Sequence, residues 1–179
     1  FNLSGRQRAL YPEAADVYGC RYVSEFKIMQ KYAGIYKETF VMVTVILVSH
    51  GGMAKGMVES TTMLIGDQPD LDFITFEPGE GPDDLTAKVE KRLKEELEKG
   101  DVIIMTDIPN GTPFNCVSRL MEHYKFRHLT GMNLPMVIDV VSQLGEDADA
   151  DALCEGTLEP SKDAIIDVNA WMKELGILE

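Results

Sequence analysis

Basic residues are scarce in this chain of 179 residues: 17 Lys and Arg stand against 30 Asp and Glu, a formal net charge of −13 at pH 7. That balance argues against nucleic acid as a partner, since binding a phosphate backbone needs a basic footprint. It favours solubility and encounter with a basic partner surface. Cysteine is also sparse. Cys20, Cys116 and Cys154 form no C-x-x-C pair, so neither a disulfide framework nor a zinc site is suggested, and Cys116 and Cys154 read as small buried packing residues. No run approaches the roughly 18 apolar residues of a membrane span, and no charged-then-apolar leader is legible. A cytoplasmic protein is expected. The glycines of "EPGEGPDD" (Glu77–Asp84) lack the following Lys-Ser/Thr of a nucleotide loop and read as a turn. No cofactor and no metal are expected.

The chain is 45% hydrophobic, enough for a full core, and its length suits one domain or one domain with an appendage. Residues 1–41 differ from the rest, with six Lys or Arg against four Asp or Glu. They read as an N-terminal extension, whether an added tail, a fragment or upstream read-through. The alternative is a native extra helix, because Val23, Phe26, Met29, Ala33 and Tyr36 fall near helical spacing. Residues 42–179 form the expected domain.

From Met42 the pattern alternates. Val43–Ser49 reads as a continuous apolar run, as in a strand buried on both faces. A helix over Met53–Ile65, with Met53, Met57, Thr61, Leu64 and Ile65 on one side, stops at Gly66. "LDFITF" (Leu71–Phe76) is a second strand. The helix that follows carries Leu85, Val89, Leu93 and Leu97 every four residues, with Asp83 and Asp84 in its first turn. "DVIIMTD" (Asp101–Asp107) is a third strand, followed by a helix with Thr112 as N-cap and Pro113 first. "RHLTG" gives a short strand, and Pro135 begins another helix. A polar connection, "GEDADADALCEG", leads to a last helix from about Ser161 to Leu175, expected to bury Ile165, Val168, Trp171 or Met172, and Leu175. Strands alternating with helices predict a doubly wound α/β fold, a mainly parallel sheet with helices on both faces and strand order 2-1-3-4.

In such sheets function collects outside the carboxyl ends of the strands, where the order reverses. His50 ends the first strand and Asp107 the third, so the order 2-1-3-4 sets them side by side. A carboxylate that accepts one ring N–H fixes the imidazole tautomer and leaves the other nitrogen as a lone pair. Gly51 and Gly52 strip away side-chain bulk, so a large group or a partner protein can approach. The helix at Thr112 adds unpaired N–H groups and a dipole that favours anions. The set suits an imidazole that accepts a phosphoryl group, with Thr112, Gly51 and Gly111 around the phosphate. The bland alternative is a turn histidine beside a helix-capping aspartate, and a strand-end carboxylate of that kind contributes little to the core. His123 and His128, without a carboxylate or cysteine at metal spacing, read as solvated surface histidines.

The segments "ILVSHGGMAKGM", "FEPGE", "DIPNGTPFN" and "GMNLPM" occur here in order. Over about Met42 to Leu175 the chain resembles the enzyme IIA domain of the mannose/fructose/sorbose class of the bacterial sugar phosphotransferase system. The resemblance implies a homodimer with an exchanged C-terminal segment. It implies that an HPr-type phosphocarrier phosphorylates His50, that Asp107 orients the ring, and that Thr112 lies near the phosphate. Enzyme IIB would accept the group for sugar uptake through the membrane IIC and IID components. "IPN" at Ile108–Asn110 departs from the aromatic or glycine usual after the aspartate, and a stand-alone IIA is expected because no IIB follows. Two rivals remain: a IIA-like regulatory phosphoprotein that serves a dihydroxyacetone kinase or a regulator, and a metal chelatase. The latter wants a second metal-binding histidine at another strand end.

Overall fold

Four parallel strands lie in the order β2-β1-β3-β4 in a computed structural model that describes residues 42–178. The extension 1–41, its helix alternative and Cys20 lie outside the described residues. The strands are β1 (Met42–His50), β2 (Leu71–Phe76), β3 (Gly100–Thr106) and β4 (Arg127–Thr130). The register pairs Val48 of β1 with Thr106 of β3, so His50 and Asp107 leave the sheet at the same edge. The expected order is the observed one.

The central strand is aliphatic because it has no solvent side. Val45 and Leu47 enter one apolar cluster with α1 (Met53–Ile65), α4 (Leu134–Ser142) and α5 (Ala150–Asp163). Ile46 and Val48 enter another with α2 (Pro82–Leu97) and α3 (Thr112–Leu120). Each side chain so buried stabilises the fold by about 1.5–3 kcal/mol before conformational entropy is set against it. The two clusters make the sheet a rigid platform under the strand ends. Cys116 and Cys154 are buried among these contacts, as expected.

Local signals explain most helix limits. The Leu85–Val89–Leu93 stripe of α2 is fully buried, and the Gly81 N–H donates to Asp84 at its start. Asn133 caps α4 by accepting the Met136 N–H at 2.9 Å, with Pro135 as the second helical residue. In α1 the buried face is Ala54, Met57, Val58, Thr61 and Ile65, whereas Met53 and Leu64 are exposed. The small Ala54 is what lies against the sheet, which rotates the stripe by one residue from the expected one.

The C-terminal part differs more. The polar connection is largely α5, capped by Asp149, which accepts the Ala152 N–H at 2.8 Å. Its buried face is Ala150, Leu153, Cys154, Thr157 and Ser161, apolar in the first turn and hydroxyl-bearing after it, so hydropathy does not mark a continuous stripe. The expected last helix is split between α5 and a short α6 (Val168–Glu174). Ile165, Val168, Trp171 and Leu175 are exposed instead of buried, because no described element packs over them. Among the described residues, no helix is long and apolar enough to cross a membrane.

Candidate active site

His50 and Asp107 meet. One carboxylate oxygen of Asp107, Oδ2, lies 2.7 Å from His50 Nδ1 and also accepts the backbone N–H of His50 at 2.9 Å. The other oxygen, Oδ1, accepts the Ile108 N–H at 2.9 Å. The strand-end aspartate is therefore no bare helix cap. It is 8% exposed and ties the ends of two neighbouring strands together through three N–H groups. Burial pushes its carboxyl upward, but the bonds from the His50 backbone, the His50 ring and the Ile108 N–H outweigh that and hold it below the usual aspartate range. A carboxylate cannot donate, so Nδ1 carries the ring proton and Nε2 presents a lone pair. The histidine side chain is 43% exposed. Phe76, the last residue of β2, meets the ring edge-to-face at 5.9 Å.

Of the expected phosphate-binding residues, Gly111 lies against this ring. Gly111 is the N-cap of α3, and a Cβ there would lie 2.9 Å from His50 Cε1 and 3.0 Å from Ile108 Cγ1. Only glycine lets α3 begin so close to the imidazole. The helix begins one place earlier than expected, with Thr112 as its first residue and not its N-cap, and there is no side-chain capping bond. With Pro113 next, the Thr112 and Phe114 N–H groups are the donors of the first turn without an intrahelical acceptor. Gly51 has φ +50° and donates its N–H to Phe76 O at 2.9 Å. It is a turn residue whose amide is already engaged. Asn110, with φ 63°, takes the left-handed conformation before Gly111, and Asn115 Nδ2 donates to its carbonyl at 3.2 Å. Asn tolerates that region better than most residues, which is a physical reason for Asn in "IPN".

Two neighbours escape sequence reasoning. Ser49 is fully buried, and its Oγ accepts the Ala54 N–H at 2.7 Å, tying α1 to the strand that carries His50. The legible signal was a hydroxyl between an aliphatic run and a Gly-Gly turn. The other is His128, which is not a solvated surface residue. On β4 it sits half-buried beneath α3, 3.0 Å from Thr106 Oγ1, and burial pushes its pKa down to about 4. The strand alternation of "RHLT" turns it to the same face as Phe126, towards α3. His123, by contrast, is exposed after α3. Neither occupies a second strand end, as the chelatase reading requires. Among the described residues no group of three or more His, Cys, Asp or Glu side chains is placed to hold a metal ion.

Residues 44–158 match the family model described as the PTS system fructose IIA component. The PTS system mannose-specific EIIAB component of Escherichia coli (strain K12) is 29% identical over 127 residues, which cover 69% of this chain and 38% of that protein. The chain thus spans well under half the length of that relative. The PTS system fructose-specific EIIA component of Bacillus subtilis is 33% identical over 102 residues, 56% of this chain and 70% of the relative. Among solved structures, the phosphotransferase system component EIIA from Streptococcus agalactiae superposes with a TM-score of 0.66 at 27% identity. It covers 72% of this chain and 99% of its own. A family-model match over most of the described domain means that the chain belongs to the fructose/mannose/sorbose IIA family of the sugar phosphotransferase system (PTS).

Proposed function

We propose that this protein is a histidine phosphoryl carrier in which His50 accepts a phosphoryl group from an HPr-type phosphocarrier and passes it to enzyme IIB for sugar uptake. The observation that carries the reading is the 2.7 Å bond between Nδ1 and Asp107, whose carboxylate is held ionised and pinned by two backbone N–H groups. The Nε2 lone pair attacks phosphorus, and the N–P bond of the donor breaks with its electron pair returning to the donor imidazole. No proton need leave His50: Nδ1–H stays on Asp107, and the ring gains positive charge as the new N–P bond forms. The adjacent carboxylate stabilises that charge, as in triads where an aspartate supports an imidazolium. The first turn of α3, with the Thr112 and Phe114 N–H groups and the Thr112 hydroxyl, faces the phosphoryl oxygens. Gly51 shapes the turn and Gly111 the close approach. Transfer onward reverses these steps.

On this reading residues 42–179 suffice for the chemistry, and the protein works in the cytoplasm as a homodimer beside membrane IIC and IID components. The reaction needs no cofactor. Incubation with enzyme I, HPr and labelled phosphoenolpyruvate, followed by a chase with enzyme IIB, tests it. Label should enter the protein and leave to IIB, and a His50→Ala variant should take none. Label retained by His50→Ala, or absent from the wild type, contradicts the reading.

A further inference from the structure

His128 occupies a place where an aliphatic residue would pack at less cost. It is the second residue of the edge strand β4, in register with Ile104 of β3, and its side chain lies under α3. The imidazole reaches three elements. Nε2 is 3.0 Å from Thr106 Oγ1, and Thr106 directly precedes Asp107. Nδ1 is 3.4 Å from Ser118 Oγ in the second turn of α3. The ring lies 5.2 Å from that of Phe114, in the first turn, tilted by 40°. Thr106 is fully buried and also donates weakly to the Leu129 carbonyl at 3.4 Å, which leaves its lone pairs for an Nε2–H. One side chain thus bonds to the residue before the aspartate and touches the helix that begins against His50.

The remaining hold of α3 on the sheet is apolar, through Cys116, Val117 and Leu120. Such packing is strong but non-directional, and helix rows can slide over it by fractions of an ångström. Hydrogen bonds at fixed donor and acceptor positions resist that slide. We infer that His128 is a positioning residue for phosphoryl acceptance: through Thr106, Ser118 and the Phe114 ring it holds α3 to the end of β3, so that Gly111, Thr112 and Asp107 keep their places around the His50 ring. The neutral ring that burial enforces fits this role, since it offers one donor and one acceptor.

The inference rests on the carrier reading, and the test separates the two. His128→Leu keeps the volume but not the bonds; His128→Gln keeps a donor and an acceptor that reach Thr106. Single-turnover acceptance from phospho-HPr, thermal melting and the amide NMR signals of Gly111, Thr112 and Phe114 are measured on the full chain. The Leu variant should melt within a few degrees of wild type or above it, because it removes a desolvated polar ring. It should nevertheless accept phosphate about 5- to 20-fold more slowly, with those amide signals and the His50 ring signals displaced, and Gln should recover most of the rate. A Leu variant with wild-type rate and undisplaced signals overturns the inference, as does a rate that falls only in proportion to lost folded protein. If the wild type accepts no phosphate, the carrier reading fails, and the NMR displacement alone then decides whether His128 positions α3.

Discussion

Asp107→Asn is the most informative single change, because the structure dictates how the amide must sit. Oδ2 accepts from both the backbone and the ring of His50, so an NH2 group at that position would face two donors. The Asn carbonyl therefore takes the Oδ2 place, and the NH2 turns to the Ile108 N–H. The tautomer of His50 survives, but the negative charge beside the ring is gone. Loss of that charge, where the ring becomes positive during transfer, should slow acceptance about 10- to 100-fold, roughly 1.4–2.7 kcal/mol at 1.36 kcal/mol per decade. Stability should fall as well, since bonds to a charged acceptor contribute ~1.5–3 kcal/mol and the Ile108 N–H meets a donor. About 1–3 kcal/mol corresponds to a melting temperature lower by roughly 3–10 °C in a domain of this size. The pH dependence has a definite sign. Native Asp107 titrates below its ordinary value, so its contribution is present above roughly pH 4 and is lost as pH falls through the native value. The stability gap between wild type and Asn variant should close below pH 4. The assay is single-turnover transfer from phospho-HPr beside melting curves at pH 3–8. Transfer within twofold of wild type, or a gap that widens in acid, refutes the reasoning.

Two further outcomes follow from named contacts and a third from the composition break at Met42. Gly111→Ala should leave melting within a few degrees yet slow transfer tenfold or more, because its Cβ would press on His50 Cε1; wild-type transfer would show that the ring can yield freely. Ser49→Ala removes the acceptor of the Ala54 N–H and should cost about 1–2 kcal/mol, read by urea denaturation as a lower midpoint at unchanged slope. Deleting residues 1–41 should preserve both folding and phosphoryl acceptance, and a melting temperature lowered by more than ~10 °C would mean that the segment packs on the domain.

Much of this site was legible before any coordinates. The aliphatic runs ending at Ser49 and Thr106 mark strands without a solvent side, and short crossovers leave few orders for four such strands. That order suffices to bring His50 beside Asp107. What stayed hidden depends on side-chain detail. The stripe of α5 ends in Thr157 and Ser161, which carry little hydropathic signal, and its polar neighbours hide the apolar residues before them. The apolar residues from Ile165 to Leu178 look like a core stripe, yet periodicity says nothing of whether an element exists to receive them. His128 is invisible to the sequence because a four-residue edge strand does not reveal which face a helix covers. Nor does spacing reveal that Asp107 accepts backbone N–H groups from two strand ends, which gives it a structural role beside its contact with the ring.

The central claim is that His50 Nε2 is the atom that carries the phosphoryl group. Phosphorylation through enzyme I, HPr and phosphoenolpyruvate, followed at once by mass mapping under non-acidic conditions and 31P and 15N NMR of the histidine, tests it directly. The account predicts one acid-labile phosphoryl group, on His50 and bonded to Nε2, with Nδ1 still protonated against Asp107 and none on His123 or His128. A phosphoryl group on either of those histidines, or on Nδ1 of His50, would contradict it.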